Sequence, residues 1–131
     1  MKINLSTEYA IRVLLFAATH PTRLVKIKEI AETYQISENH LMKIVHALQK
    51  NGYLHTVRGR NGGFRLAKAA ENISIGEIIM IFEDMVYLKN EDPISSVGDL
   101  PIRQTLDKAY LLFFEFLQSI TLNEIVDTKN K

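Results

Sequence analysis

The sequence predicts a mainly α-helical protein that carries one small β-hairpin. Apolar residues recur at helical spacing through most of the 131 residues, and the segment RGRNGGF at 58–64 forms a glycine-rich turn between two short β-prone runs. Two Ser/Thr-x-x-Glu motifs, SIGE at 74–77 and TLNE at 121–124, mark additional helix starts. A chain of this length suits one folded unit with an extension.

The first part of the chain is predicted to contain three helices. The first begins at Ser6 or Thr7 and ends before Pro21, which cannot continue it. A second, short helix covers about 26–34, where apolar residues repeat at i, i+3, i+4 and i+7. Ser37 is a good N-cap for the third helix, so the two short helices are separated by about three residues.

A β-hairpin is expected directly after the third helix. Gly52 is placed to end that helix in the left-handed conformation, and β-prone runs follow at 53–58 and 64–68. Between them, the dipeptide Asn61-Gly62 best tolerates positive φ at both central positions of a hairpin turn. A winged helix-turn-helix has this order of elements: a helix, a short helix, a turn, a second helix of the pair and a hairpin.

A fourth helix, a long helix and a short terminal helix are predicted after the hairpin. The fourth runs from 75 to about 84, an irregular loop occupies 89–101, and the motif at 121–124 starts the terminal helix. The apolar stripe of the long helix is wider than the roughly 100° that a surface helix buries, which indicates a twofold dimer or a helix buried within one chain. The residues expected to dimerise are Leu106, Tyr110, Phe113, Phe114, Phe116, Leu117 and Ile120.

The formal net charge of +1 conceals two oppositely charged halves. Residues 1–70 hold 11 Lys and Arg against 4 Asp and Glu, whereas residues 71–131 hold 5 against 11. A basic half joined to an acidic half suggests a polyanion-binding region and a region with a different role. We therefore assign 1–70 to a winged helix-turn-helix DNA-binding region, and 71–131 to a dimerisation region that could also hold a sensor.

The residue types of the third helix and the hairpin suit DNA. In a winged helix-turn-helix the second helix of the pair enters the major groove, while the wing lies along phosphates or in the adjacent minor groove. Asparagine can pair with adenine, Ser, His and Lys donate to bases or phosphates, and wing glycines permit close approach of arginines. The candidate DNA-binding residues are Ser37, Asn39, His40, Lys43, Arg58, Arg60, Asn61, Gly62 and Arg65.

Other functional classes find little support in the sequence. No Gly-Lys-Ser/Thr opens a helix and no strand-to-helix crossover flanks the glycine turn, so it is not a nucleotide-binding loop. The 4 histidines lack ligand spacing and no serine lies in a nucleophile elbow, so we predict no enzyme, no metal site and no cofactor. The chain has no cysteine, which excludes cysteine-ligated iron–sulfur clusters. The apolar runs are too short to span a bilayer and no secretory signal is visible, so we expect a cytoplasmic protein.

A series of ordered motifs places the chain near a known family. The motifs are LSTEYAIR at 5–12, ISENHLMK at 36–43, VRGRNGG at 57–63 and IGE at 75–77. With these motifs the chain resembles the Rrf2 family of bacterial winged-helix transcription regulators, and within it the branch of nitric-oxide-sensitive repressors. The resemblance covers nearly the whole chain. The resemblance implies a homodimer that crosses through the long helix and binds a palindromic operator.

One departure from the family pattern concerns its iron–sulfur cluster. Cluster-binding relatives carry three cysteines between the fourth helix and the long helix, where this chain has KNEDPISSVGDL at 89–100. Glu8 corresponds to an aspartate that the nitric-oxide-sensitive branch uses as a further ligand. Because Glu8 alone cannot hold a cluster, we do not expect iron–sulfur sensing in this protein.

These observations predict a sequence-specific transcription regulator, a repressor by resemblance, that acts as a homodimer without a cluster. Its signal could be a small molecule in an apolar pocket, a protein partner, or the abundance of the regulator itself. The alternative is a protein-interaction module that keeps the fold but no longer reads DNA. In that case, alanine at Arg58 and Arg60 would leave its activity unchanged.

Overall fold

The computed structural model describes residues 2–83 and 100–129. The fold is mainly helical with one antiparallel hairpin, as predicted. In chain order the elements are α1 (Leu5–Ala18), α2 (Ile27–Tyr34), α3 (Glu38–Lys50), β1 (Leu54–Val57), β2 (Gly63–Leu66), a 3-10 helix (Ala70–Asn72), α4 (Ile75–Phe82), α5 (Leu100–Ser119) and α6 (Leu122–Lys129).

One hydrophobic core joins elements from both charged halves of the chain. α1 is central to it and packs against α3, β2, α4 and α6. The largest fully buried apolar side chains of this core are Leu14, Ile30, Leu41, Leu48, Phe64, Ile73, Ile78 and Leu122. Residues 1–70 and 71–131 therefore fold around the same apolar interior.

α1 begins earlier than predicted, because Asn4 and not Ser6 or Thr7 is its N-cap. The side-chain oxygen of Asn4 accepts a hydrogen bond from the Thr7 amide at 2.8 Å. Thr7 is fully buried, and its hydroxyl donates to Glu83 at the end of α4 at 2.8 Å. The capping prediction failed because Thr7 serves a tertiary contact that local sequence does not show.

α2 and α3 form the predicted helix-turn-helix. Gln35, the C-cap of α2, adopts a left-handed conformation with φ of 55°. Ser37 caps α3 as predicted, since its hydroxyl oxygen accepts from the His40 amide at 3.3 Å. Gly52, just past α3, has a φ of 85°, which confirms its predicted left-handed conformation.

The hairpin forms where predicted, but the expected turn conformation is wrong. Val57 pairs with Gly63, so the strands are joined by the five residues 58–62 and not by a two-residue turn. Positive φ occurs at Gly59 (110°) and Gly63 (152°) instead of at Asn61 and Gly62. Gly62 is needed for another reason, because a Cβ at this position would collide with the Val57 carbonyl oxygen.

A third extended segment extends the hairpin and was not predicted. Val25 donates to the Phe64 carbonyl and Phe64 donates to the Val25 carbonyl, both at 2.8 Å. A Cβ at Gly63 would lie 2.5 Å from the Val25 carbonyl oxygen, so this close approach requires glycine. The hairpin is thereby attached to Val25, which lies two residues before the start of α2.

α4 begins at the predicted residue, but its predicted capping box at 74–77 does not form. The Ser74 hydroxyl donates to the Gln118 carbonyl in α5 at 2.9 Å, and it makes no capping bond. Glu77 instead accepts a hydrogen bond from the Tyr53 hydroxyl at 2.7 Å. Both side chains connect α4 to neighbouring elements, a use that their spacing alone cannot reveal.

The capping box of α6 is confirmed. The Thr121 amide donates to the Glu124 carboxylate at 2.7 Å, and the Glu124 amide donates to the Thr121 hydroxyl at 3.4 Å. Backbone bonds from Ile75 to the Ile120 carbonyl at 2.9 Å and from Leu122 to the Ile73 carbonyl at 2.8 Å fix this turn against the start of α4.

α5 starts earlier than predicted and buries only one side of its apolar surface. Leu100 and Pro101 already belong to this helix, whereas residues 89–99 of the predicted loop lie outside the described residues. Proline is compatible with a first helical turn because its amide would have no partner there. Phe114 is 8% exposed and faces the interior of the chain, whereas Phe116 is 65% exposed.

Candidate nucleic-acid interface

α3 presents a polar face to solvent because its apolar stripe is buried in the core. Leu41, Ile44, Val45 and Leu48 are buried. Of the predicted DNA-binding residues in this element, Ser37, Asn39 and Lys43 are exposed at its N-terminal end. The amides of the first helical turn give this end of α3 a partial positive charge.

His40 has a different environment from the other predicted α3 contacts. Its Nε2 atom lies 3.3 Å from the Ser6 hydroxyl, and its ring meets Tyr9 edge-to-face with a centroid distance of 4.9 Å. It is only partly exposed. His40 thus connects the start of α3 to α1, and its position supports a role in orienting α3 alongside the predicted DNA contact.

The predicted wing residues form an exposed basic surface. Arg58, Arg60, Asn61 and Arg65 are exposed, whereas Gly62 is a buried residue of the turn. Within residues 2–83 and 100–129, the ion pairs found join Arg12 to Glu8 at 2.9 Å and Arg23 to Glu29 at 2.8 Å, and the wing arginines are in none of them. Their charge is therefore available to a polyanion.

The Arg23–Glu29 ion pair stabilises the segment that leads into α2. The hydrogen bond from Arg23 lowers the pKa of the Glu29 carboxyl, with a smaller contribution from the Lys26 amide. Glu29 in turn raises the pKa of Arg23. Both side chains are exposed enough that solvent screens the pair strongly, so its contribution to stability is small.

Tyr53 connects the base of the hairpin to α4. Burial is the main cause that raises its pKa to about 12, and the hydrogen bond to Glu77 adds to the shift. Lys68 lies over the ring with its Nζ atom 4.7 Å from the centroid, a cation–π contact. Tyr53 therefore carries its proton at neutral pH and acts as a hydrogen-bond donor.

Two open cavities of about 310 Å³ each lie in the described part of the chain. One lies between the hairpin turn, the start of α2 and the middle of α3. It is lined by Lys26, Ile27, Val45, Thr56, Val57, Gly59, Gly62, Gly63 and Phe64. The other lies on the outer face of α1 and is lined by Ile3, Glu8, Ile11, Arg12, Leu15 and Tyr34. The first bears directly on how the wing is supported.

The helix-turn-helix, the basic hairpin and its attachment to the start of α2 define a winged helix-turn-helix protein. The model of the Rrf2 family, described as "Iron-dependent Transcriptional regulator", matches residues 3–128. The chain therefore belongs to the Rrf2 family of transcriptional regulators.

Relatives of similar length support this assignment. An HTH-type transcriptional regulator NsrR from Bacillus licheniformis is 44% identical, over 96% of this chain and 92% of the relative. A regulator of the same name from Bacillus subtilis is 42% identical, over 98% of this chain and 92% of the relative. Because these relatives are transcriptional regulators, an enzymatic role for this chain is disfavoured.

Solved structures show the same fold. IscR of T. potens is similar with a TM-score of 0.78 and 27% identity, covering 98% of this chain and 88% of that one. CymR, the global cysteine regulator of B. subtilis, is similar with a TM-score of 0.75 and 26% identity, covering 98% of both chains. No helix in the described residues is long and apolar enough to cross a membrane.

The iron dependence in the family description does not fit the donor atoms of this chain. The sequence contains no cysteine. Glu8, at the position that resembles a cluster ligand, already pairs with Arg12 at 2.9 Å. Within the described residues, no three His, Asp or Glu side chains lie close enough together to hold a metal ion. We therefore assign no functional step to iron.

Proposed function

We propose that this protein is a homodimeric, sequence-specific DNA-binding repressor that acts on a palindromic operator without an iron–sulfur cluster. The observation that carries the proposal is the pair of exposed basic surfaces on α3 and the wing, whose cations lack carboxylate partners among the described residues. In a winged helix-turn-helix these two elements are the ones that approach DNA. Relatives at 40–44% identity are transcription regulators, which supports this function.

The proposed contacts divide between sequence recognition and affinity. Asn39 and Lys43 project from the exposed start of α3 and are the proposed base contacts in the major groove. Arg58, Arg60 and Arg65 are the proposed wing contacts, which bind phosphates or enter a narrow minor groove. Ser37, His40, Asn61 and Gly62 complete the proposed interface by shaping the helix start and the wing turn.

The proposed dimer uses the apolar side of α5 that faces away from its own chain. Of the predicted dimerisation residues, Phe114 is buried in its own chain and Leu117 and Ile120 pack partly against its core. Tyr110 is partly exposed and Leu106, Phe113 and Phe116 are exposed. Additional large apolar side chains exposed on the same helix are Ile102, Leu111 and Leu112.

This uncovered surface supports self-association for two physical reasons. So many exposed large apolar side chains on one helix are unfavourable in water and are usually covered in the functional state. A twofold interface also places two copies of α3 in symmetry-related positions, and such a pair recognises an inverted repeat. The oligomeric state and the operator symmetry are therefore linked in the proposal.

The experiment that tests the function is selection of double-stranded DNA from a random library, followed by titration of the selected sequence at several salt concentrations. We expect an inverted repeat with half-sites about one helical turn apart. Arg58→Ala should weaken binding and reduce the salt slope by about 0.9, the value for one lost phosphate contact. Lys108→Ala removes the same charge from the exposed surface of α5 and should change neither quantity.

Two results would contradict the proposal. Weak binding without sequence preference would favour the protein-interaction module that keeps the fold but does not read DNA. Equal losses in Arg58→Ala and Lys108→Ala would show that net charge, and not the wing, determines affinity.

A further inference from the structure

Among the described residues, one side chain from outside the hairpin forms a hydrogen bond with the wing turn 58–62. Val25 and Phe64 exchange two backbone hydrogen bonds where β2 begins. Farther out, the Nζ atom of Lys26 donates to the Arg60 carbonyl at 3.0 Å. Within the described residues, this is the hydrogen bond that reaches the turn 58–62 from outside the hairpin.

A cavity lies beneath the turn, so little packing is available to hold the turn in place besides this hydrogen bond. The cavity of about 310 Å³ lies between the turn, Ile27 and Val45. Gly59 has open space where a Cβ would be, and Arg60 is exposed. A turn with an open cavity beneath it is expected to move more readily unless polar contacts fix it.

The side chain of Lys26 is not required for the folding of α2. The helix start uses the backbone of Lys26, whose amide donates to Glu29 at 2.8 Å and whose carbonyl accepts from the Glu29 amide at 3.0 Å. The side chain itself is exposed. Its ammonium group carries three donors, so the bond to Arg60 leaves the charge in place beside the wing.

We propose that Lys26 is a positioning residue for the wing: by holding the Arg60 carbonyl, it fixes the direction in which the Arg60 side chain extends toward DNA. The effect on DNA binding rests on the proposed function, whereas the effect on the wing does not. The contact itself involves the main chain of Arg60, so it persists when the Arg60 side chain is removed. That property makes the two effects separable by mutation.

The first test measures wing mobility without DNA, by backbone amide relaxation in Lys26→Met and in the control Lys28→Met. Lys28 is an exposed lysine in the first turn of α2, and within the described residues no hydrogen bond joins it to the wing. We expect order parameters at Gly59, Arg60 and Gly62 to fall from about 0.85 toward 0.6 in Lys26→Met only. Unchanged order parameters in Lys26→Met would overturn the proposal.

The second test is a double-mutant cycle on the selected operator with Lys26→Met and Arg60→Ala. Lys26→Met should weaken binding about tenfold in the wild-type background, as expected for loss of a charge-assisted hydrogen bond. In the Arg60→Ala background the loss should shrink to less than about threefold, since the side chain to be positioned is absent.

The outcomes of the cycle separate three cases. Non-additive losses support positioning, and additive losses with a reduced salt slope overturn it, because Lys26 would then act as an independent phosphate contact. If the wild-type protein binds no DNA, the proposed function fails while the relaxation result still decides whether Lys26 holds the wing. Lys26→Arg retains both charge and donors, and we expect it to restore wing order and affinity.

Discussion

The proposed dimer makes a quantitative prediction for Phe116→Glu. Phe116 is 65% exposed on the free side of α5. A fully buried phenylalanine removes roughly 200 Å² from water, so covering this exposed fraction involves about 130 Å², or about 3 kcal/mol at 25 cal/mol per Å². Two copies contribute about 6 kcal/mol in a twofold dimer, but buried interface area is only partly realised as binding free energy. We therefore expect a loss of about 3 kcal/mol, which corresponds to more than a hundredfold change in the dimer dissociation constant.

Sedimentation velocity at several concentrations measures this change. The wild type should sediment as a dimer of the 15.0 kDa chain, and Phe116→Glu should be monomeric at micromolar concentration. Gln104→Glu adds the same charge on an exposed polar position of α5 and should remain dimeric. A wild-type monomer, or a Phe116→Glu dimer of unchanged affinity, would show that this side of α5 is not the interface. Circular dichroism of each variant is the control that checks whether its helices remain folded.

Three further predictions concern stability and can be checked by urea unfolding. Tyr53→Phe removes the hydrogen bond to Glu77 and should lower the free energy of unfolding by about 1 kcal/mol at neutral pH. Because the pKa of Tyr53 in the folded protein is raised to about 12, the wild type should lose this advantage as pH rises from about 10 to 12. Equal pH profiles of stability for wild type and variant would contradict this assignment. Gly63→Ala should destabilise by about 2–4 kcal/mol through positive φ and collision with a backbone carbonyl, and Gly59→Ala by only about 1–2 kcal/mol, because open space surrounds it. Thr121→Ala removes the cap of α6 and should cost about 1 kcal/mol; no loss would show that α6 is held by packing alone.

Local patterns predicted most elements because their causes are local. Ser37 and Gly52 delimit α3 as expected, and Thr121 with Glu124 caps α6, since each motif satisfies backbone groups within one turn. Capping failed where a side chain was taken by a distant partner. Ser74 bonds to α5 instead of its own helix, and no spacing rule within 74–77 could indicate that choice.

The residue types of the candidate interface were predictable from the sequence, but the contacts that hold the wing in place were not. Its charge is visible in the sequence, since the arginines and glycines of the wing are adjacent in the chain. The contacts that place the wing join residues far apart in sequence, such as Lys26 with Arg60 and Val25 with Phe64. His40 likewise looked like its neighbours in α3 until the fold placed it beside Tyr9.

The shared core connects the proposed dimer to the proposed DNA-reading surface. α5 bonds to the start of α4 through Ser74, and α4 reaches α1 through Glu83 and the hairpin through Tyr53. α1 in turn packs against α3. Because every step of this path in the described residues is a hydrogen bond or a packing contact, a twofold dimer through α5 would set the distance between the two α3 helices by packing. The assignment of 1–70 to DNA binding and 71–131 to dimerisation is thus a proposed division of roles within one folded unit, in which a change in how the two α5 helices pack against each other alters the spacing that the operator must match.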